Sequence, residues 1–84
     1  MAMTTLDPSA KRHPYGTLGQ AIKHFRKKSK LSQVKLGELV GVTQAAIAHY
    51  EAGHRIPGIT MIQKLSEVFH CPIQLLISHK TSIY

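Results

Sequence analysis

The side chains able to do chemistry here are six histidines, one cysteine, four carboxylates, eleven lysines and arginines, and a few amides. The histidines stand at 13, 24, 49, 54, 70 and 79. No two fall three or four apart on one expected helix. Cys71 has His70 beside it but no third ligand nearby, so no metal site is expected. There is no Ser-His-Asp set with supporting motifs and no glycine-rich phosphate loop. The chain is expected to be neither an enzyme nor the holder of a cofactor. What remains is recognition. A glutamine amide donates and accepts at once, which matches the N6/N7 edge of adenine in a major groove. Gln44 stands at the start of a short apolar-patterned run, with the reach for that contact. Thr43, Ala45, Ala48 and His49 share its outward face. The two alanines are small enough to let the element sit deep and to touch a thymine methyl. His49, one turn on, can bond a guanine N7 or a phosphate.

The charge pattern bears on the same question. The formal net charge is +7 over 84 residues. Residues 1–35 carry eight of the eleven basic residues and one of the four acidic ones, while residues 36–84 sum to zero. Such one-sided basicity is the electrostatic footprint of a polyanion partner, or else a solvated, solubilising face. One cysteine allows no intrachain disulfide, which suits a reducing compartment. No apolar run approaches the roughly 20 residues of a membrane span. The N-terminus has no apolar segment of the signal-peptide kind. A cytoplasmic protein is expected, nucleoid-associated where the polyanion is DNA, with no membrane partner.

Gln44 has to be held by the elements around it. The stretch Gln33 to Gly53 reads as two short helices joined at Gly41. Leu36, Leu39 and Val40 give the first an apolar stripe, and Ile47 and Tyr50 do so for the second. Ser32 and Thr43 stand where a side-chain oxygen caps the free N–H groups of each helix. Gly41 supplies the left-handed stop, and Val42 plugs the core between the helices. Gly37 lets the two helices approach, which offsets the usual interior-glycine cost of roughly 1 kcal/mol. This is the pattern of a helix-turn-helix. Before it, Thr17 and Gln20 form a capping box opening a helix to about Ser29, with Leu18, Ala21, Ile22 and Phe25 inward. After it, Gly53 caps the second helix. A helix over Ile59–Phe69 follows, with Ile59, Ile62, Leu65, Val68 and Phe69 at helical spacing. Pro72 opens a fifth helix to about Ser78. The expected organisation is a flexible basic arm over residues 1–16, a domain over 17–78 and a tail over 79–84. Lys11-Arg12-His13 in the arm either follow a phosphate backbone or minor groove, or touch nothing specific.

The segment resembles the helix-turn-helix of the phage repressor and Cro family, the Cro/CI or XRE type. The resemblance runs through Leu31-Ser32-Gln33, Gly41-Val42-Thr43-Gln44, Ile47, Tyr50-Glu51-Ala52-Gly53 and Pro57, then Ile62, Leu65, Val68 and Phe69. It covers residues 17 to 77. Gly37 stands where the family usually has alanine, and His70 where it often has glycine. The resemblance implies an all-α, five-helix, lambda-repressor-like DNA-binding domain, with the helix over residues 44–52 in the major groove. It implies that Gln33, at a helix N-terminus suited to phosphate, binds a DNA phosphate and holds Gln44 in place. It implies further phosphate contacts at Lys35, His54 and Arg55, the loop also offering N–H groups, and an Arg26–Glu51 ion pair bracing the first helix against the third. The chain's end would carry a homodimer contact, through Ile73, Leu76 and Ile77.

On this reading the chain is a dimeric regulator of transcription, most simply a repressor, binding a palindromic double-stranded operator. The half-sites would lie about one helical turn, roughly 34 Å, apart. Compact phage-type repressor, controller of a restriction system and antitoxin all remain open. An antitoxin would bind a toxin protein, through the arm or the Ile83-Tyr84 tail, and repress its own operon. An interaction module without DNA binding is a third reading, against which the basic charge and Gln44 argue.

Overall fold

The computed structural model describes residues 15–81, with side chains to residue 77. The basic arm ahead of Tyr15, Ser78–Thr81 side chains and the Ile83-Tyr84 tail lie outside what is described. Five helices make up the described chain: α1 Leu18–Lys28, α2 Gln33–Val40, α3 Gln44–Ala52, α4 Ile59–Phe69 and α5 Gln74–Thr81. No strand occurs among the described residues.

The helix starts follow local chemistry. The Thr17 hydroxyl accepts from Gln20 N at 3.1 Å, and Thr17 N donates to Gln20 Oε1 at 2.9 Å, which closes the capping box. Ser32 Oγ accepts from Lys35 N, and Thr43 Oγ1 from Ala46 N. Each cap satisfies a donor that the first helical turn leaves unpaired. The ends are left-handed. Gly41 and Gly53 take φ of 85° and 83°, but Lys30 and His70 do the same work at 61° and 54° without being glycine. After His70, Cys71 N donates back to Ser66 O and His70 N to Glu67 O, the paired bonds of a helix stop. A β-carbon in this conformation costs roughly 1–2 kcal/mol.

The core draws on all five helices: Leu18, Ala21, Ile22 and Phe25 from α1, Leu36 and Val40 from α2, Ile47 and Tyr50 from α3, Ile62, Leu65 and Phe69 from α4, and Leu76 from α5. Three sequence expectations change here. Leu39 is 50% exposed and Ile59 56% exposed, so neither joins its helix's buried stripe. On α2 the buried face is Leu36, Gly37 and Val40, and Leu39 falls to one side of it. On α4 burial begins at Ile62, one turn after Ile59. Finally, α5 starts at Gln74 and runs to Thr81, not from Pro72 to Ser78. The Pro72 carbonyl accepts from Leu75 N in a tight turn, and the first helical bond is Ile77 N to Ile73 O. No glycine or proline follows to stop the helix at Ser78.

Tyr15, within the stretch expected as a flexible arm, packs on the domain. Its ring stacks on His24 at 4.4 Å and meets the edge of Phe25 at 4.9 Å. Phe25 in turn stacks on Phe69 at 5.9 Å. The domain therefore begins at least two residues before Thr17.

Candidate nucleic-acid interface

α3 has a clear inside and outside. Ala46, Ile47 and Tyr50 are buried. Thr43, Gln44, Ala45 and His49 are exposed, and Ala48 is half-buried. A short helix thus presents an amide, two methyl groups and an imidazole on one side. The Thr43 hydroxyl oxygen is used internally as the cap.

The helix is held at both ends by close backbone approaches. A β-carbon on Gly37 would lie 2.5 Å from the Val42 carbonyl oxygen, so α2 and the turn touch only because a side chain is missing. A β-carbon on Gly19 would lie 2.7 Å from the Glu51 carbonyl oxygen and closer still to that of Tyr50. The first turn of α1 therefore rests on the last carbonyls of α3. This role of Gly19 is not evident from helical spacing. Its signal was a glycine inside a capped helical turn, where nothing local calls for one.

Below α3 a chain of polar side chains crosses three helices. Arg26, at 9% exposure the one buried charged residue among those described, donates from Nε to Glu51 Oε2 at 2.5 Å. Its Nη2 donates to Glu51 Oε1 at 3.2 Å and its Nη1 to the Leu31 carbonyl at 2.8 Å. The guanidinium thus ties the end of α1 to the end of α3. A partly buried pair of this kind holds geometry more than it adds net stability. Gln33 Nε2 donates to Glu51 Oε1 at 3.1 Å, and Gln44 Nε2 donates to Gln33 Oε1 at 3.3 Å. The Gln33–Glu51 bond was not anticipated. Residues 18 apart in the chain, one on each side of a turn, give no sequence signal for it.

The surrounding cations are exposed. Lys35 lies 3.8 Å from Glu38 along α2, both side chains more than half exposed, so the pair is weak. His54 and Arg55 are exposed on the loop after α3. Their N–H groups both donate to the His49 carbonyl, at 2.9 and 3.3 Å. At these two residues only the side chains remain available to a phosphate. The rings of His49 and His54 stand 6.0 Å apart, edge to face. Among the described residues no group of three or more metal-ligating side chains converges. Burial raises the Cys71 thiol above its ordinary value. Among the described residues no helix is long and apolar enough to cross a membrane.

Leu76 requires a further correction. It is fully buried in the subunit's own core, so it is not an outward contact for a second copy. Ile73 and Ile77, on either side of it, are half-buried.

Comparison with known proteins points the same way as the geometry. A sequence model described as Helix-turn-helix matches residues 22–76. An uncharacterised HTH-type transcriptional regulator of Bacillus subtilis (strain 168), YgzD, is 38% identical over 48 residues, which is 57% of this chain and 73% of that protein. The P22 c2 repressor in complex with synthetic operator 9T superposes with a TM-score of 0.68 at 33% identity, covering 71% of this chain and 91% of that one. The solution structure of the P22 c2 repressor DNA-binding domain gives 0.71 at 32% identity, covering 75% of this chain and 83% of that one.

Proposed function

Because the chain belongs to the XRE-type helix-turn-helix family of DNA-binding transcription regulators, we propose that it binds a specific double-stranded operator as a dimer and represses transcription. α3 enters the major groove with Gln44 on an adenine edge, Ala45 and Ala48 against the base pairs, and His49 on a guanine N7 or a phosphate. Gln33, Lys35, His54 and Arg55 take phosphates, which set affinity and its salt dependence but carry no sequence. The observation that carries this reading is the seating of Gln44: an exposed amide at the front of α3, steadied by a second amide at the front of α2. A solvated surface glutamine has no need of such support. The P22 c2 repressor, solved in complex with a synthetic operator, supports the same use of this fold.

Dimerisation would use the half-buried Ile73 and Ile77, Leu76 being spent in the core. Sedimentation of the purified chain across concentrations tests this part, with Ile77→Lys expected to leave a folded monomer. The central experiment is selection of bound duplexes from a random pool at physiological salt, followed by gel shift. Recovery of a palindrome with half-sites about one helical turn apart is the expected result. Equal binding to duplexes of every sequence would remove the reading.

A further inference from the structure

An ionised carboxylate can only accept hydrogen bonds, whereas a primary amide has one accepting and one donating end. That asymmetry runs through the polar chain beneath α3. Both Glu51 oxygens already receive donors from Arg26, and Oε1 receives a further one from Gln33. Only the Nε2 end of Gln33 can face a carboxylate, so its Oε1 must face the other way. There it can only accept, and it takes Nε2 of Gln44. The Oε1 of Gln44 is thereby turned away from Gln33, with one Nε2 hydrogen still free.

We propose that Glu51 is a positioning residue for base recognition: its acceptor-only carboxylate, relayed through Gln33, fixes which end of the Gln44 amide faces the groove, and so which base Gln44 selects. This rests on the assignment of α3 as the reading helix. An outward oxygen beside one free N–H complements the N6 donor and N7 acceptor of adenine. The opposite amide orientation would present two N–H donors, which complement the N7 and O6 acceptors of guanine. Glu51 touches neither base nor phosphate in this scheme. Its side chain is only 5% exposed, at the far end of the helix from Gln44.

The substitution Glu51→Gln reverses the relay. The new amide oxygen keeps the shorter Arg26 bond, from Nε at 2.5 Å, and its NH2 takes the Oε1 position, giving up the longer bond from Nη2 at 3.2 Å. Its NH2 then faces Gln33, which turns its oxygen inward and its NH2 outward. Gln44 answers by giving its oxygen to Gln33 and both N–H groups to the groove. The base pair read by Gln44 is first located by selection with the wild-type chain and by loss of preference there in Gln44→Ala. Dissociation constants are then measured for duplexes with adenine or guanine at that position. Wild type is expected to favour adenine by about tenfold. Glu51→Gln is expected to abolish or invert that ratio with the salt dependence unchanged, since the cationic phosphate contacts of Lys35 and Arg55 are kept. An unaltered ratio in the folded variant overturns the proposal. Should Glu51→Gln fail to fold, Gln33→Leu severs the relay while leaving Arg26 and Glu51 paired. It should bring the ratio towards unity, whereas weaker binding at an unchanged ratio also overturns the proposal. If wild type itself shows no preference, the reading of α3 fails, and that failure is visible before any variant is made.

Discussion

Gly19→Ala puts the contact between α1 and α3 to a quantitative test. The added β-carbon would stand 2.7 Å from the Glu51 carbonyl oxygen and nearer still to that of Tyr50, inside the 3.0 Å below which something must shift. Both obstacles are backbone at the end of a helix, so no side-chain rotation relieves them. Either α1 lifts or the end of α3 unwinds. Overpacking of this kind costs about 1–3 kcal/mol, and backbone obstacles place it in the upper part of that range. Alanine returns about 1 kcal/mol because glycine is a poor helix residue. The net expectation is a loss of about 1–2 kcal/mol. In a domain of this size each kcal/mol moves the midpoint by roughly 4–8 °C, so Tm should fall by about 5–15 °C. Circular dichroism melts and urea titrations of the two proteins measure it. A variant as stable as wild type, or more so, would show that α1 moves off α3 without cost and that the close approach is not required.

Other expectations follow from the same structure. Arg26→Met and Glu51→Leu should each cost on the order of 2–3 kcal/mol, because each strands a partly buried charge, while the double variant should recover much of the loss. Strictly additive values in urea denaturation would argue that the two side chains act independently. His70→Gly should stabilise by about 1 kcal/mol, since it removes a β-carbon from a left-handed helix stop at φ 54°; a lower Tm would mean the imidazole makes a compensating contact. Gln44→Ala should weaken operator binding by about 1–3 kcal/mol and binding to random DNA hardly at all. Arg55→Ala should weaken both alike, and a loss confined to the operator would contradict its assignment to phosphate.

The sequence alone determined much of what rests on bonds between near neighbours. Thr17 with Gln20, Ser32 with Lys35, and Thr43 with Ala46 are contacts three residues apart, so the starts of α1, α2 and α3 could be read to the residue. Gly41 and Gly53 marked two stops because only the residue's own backbone decides them. The front of α3, with Gln44 and His49 outward and Ile47 and Tyr50 inward, followed from helical spacing. The Arg26–Glu51 pair came instead from the resemblance to the repressor and Cro family, not from any spacing.

Tertiary structure decided what depends on which neighbour arrives. Leu39 and Ile59 are apolar and stand at helical spacing, yet among the described residues each stays about half exposed. Leu76 has the same character and is fully enclosed. Periodicity gives the direction of a side chain and not the width of the surface that meets it. Gly19 is needed only because the carbonyls of Tyr50 and Glu51, thirty residues on, come to rest above it. Gln33 finds Glu51 for a similar reason: α1, α2 and α3 converge at one point, and a convergence of three helices is a property of their packing, which no local run of residues encodes.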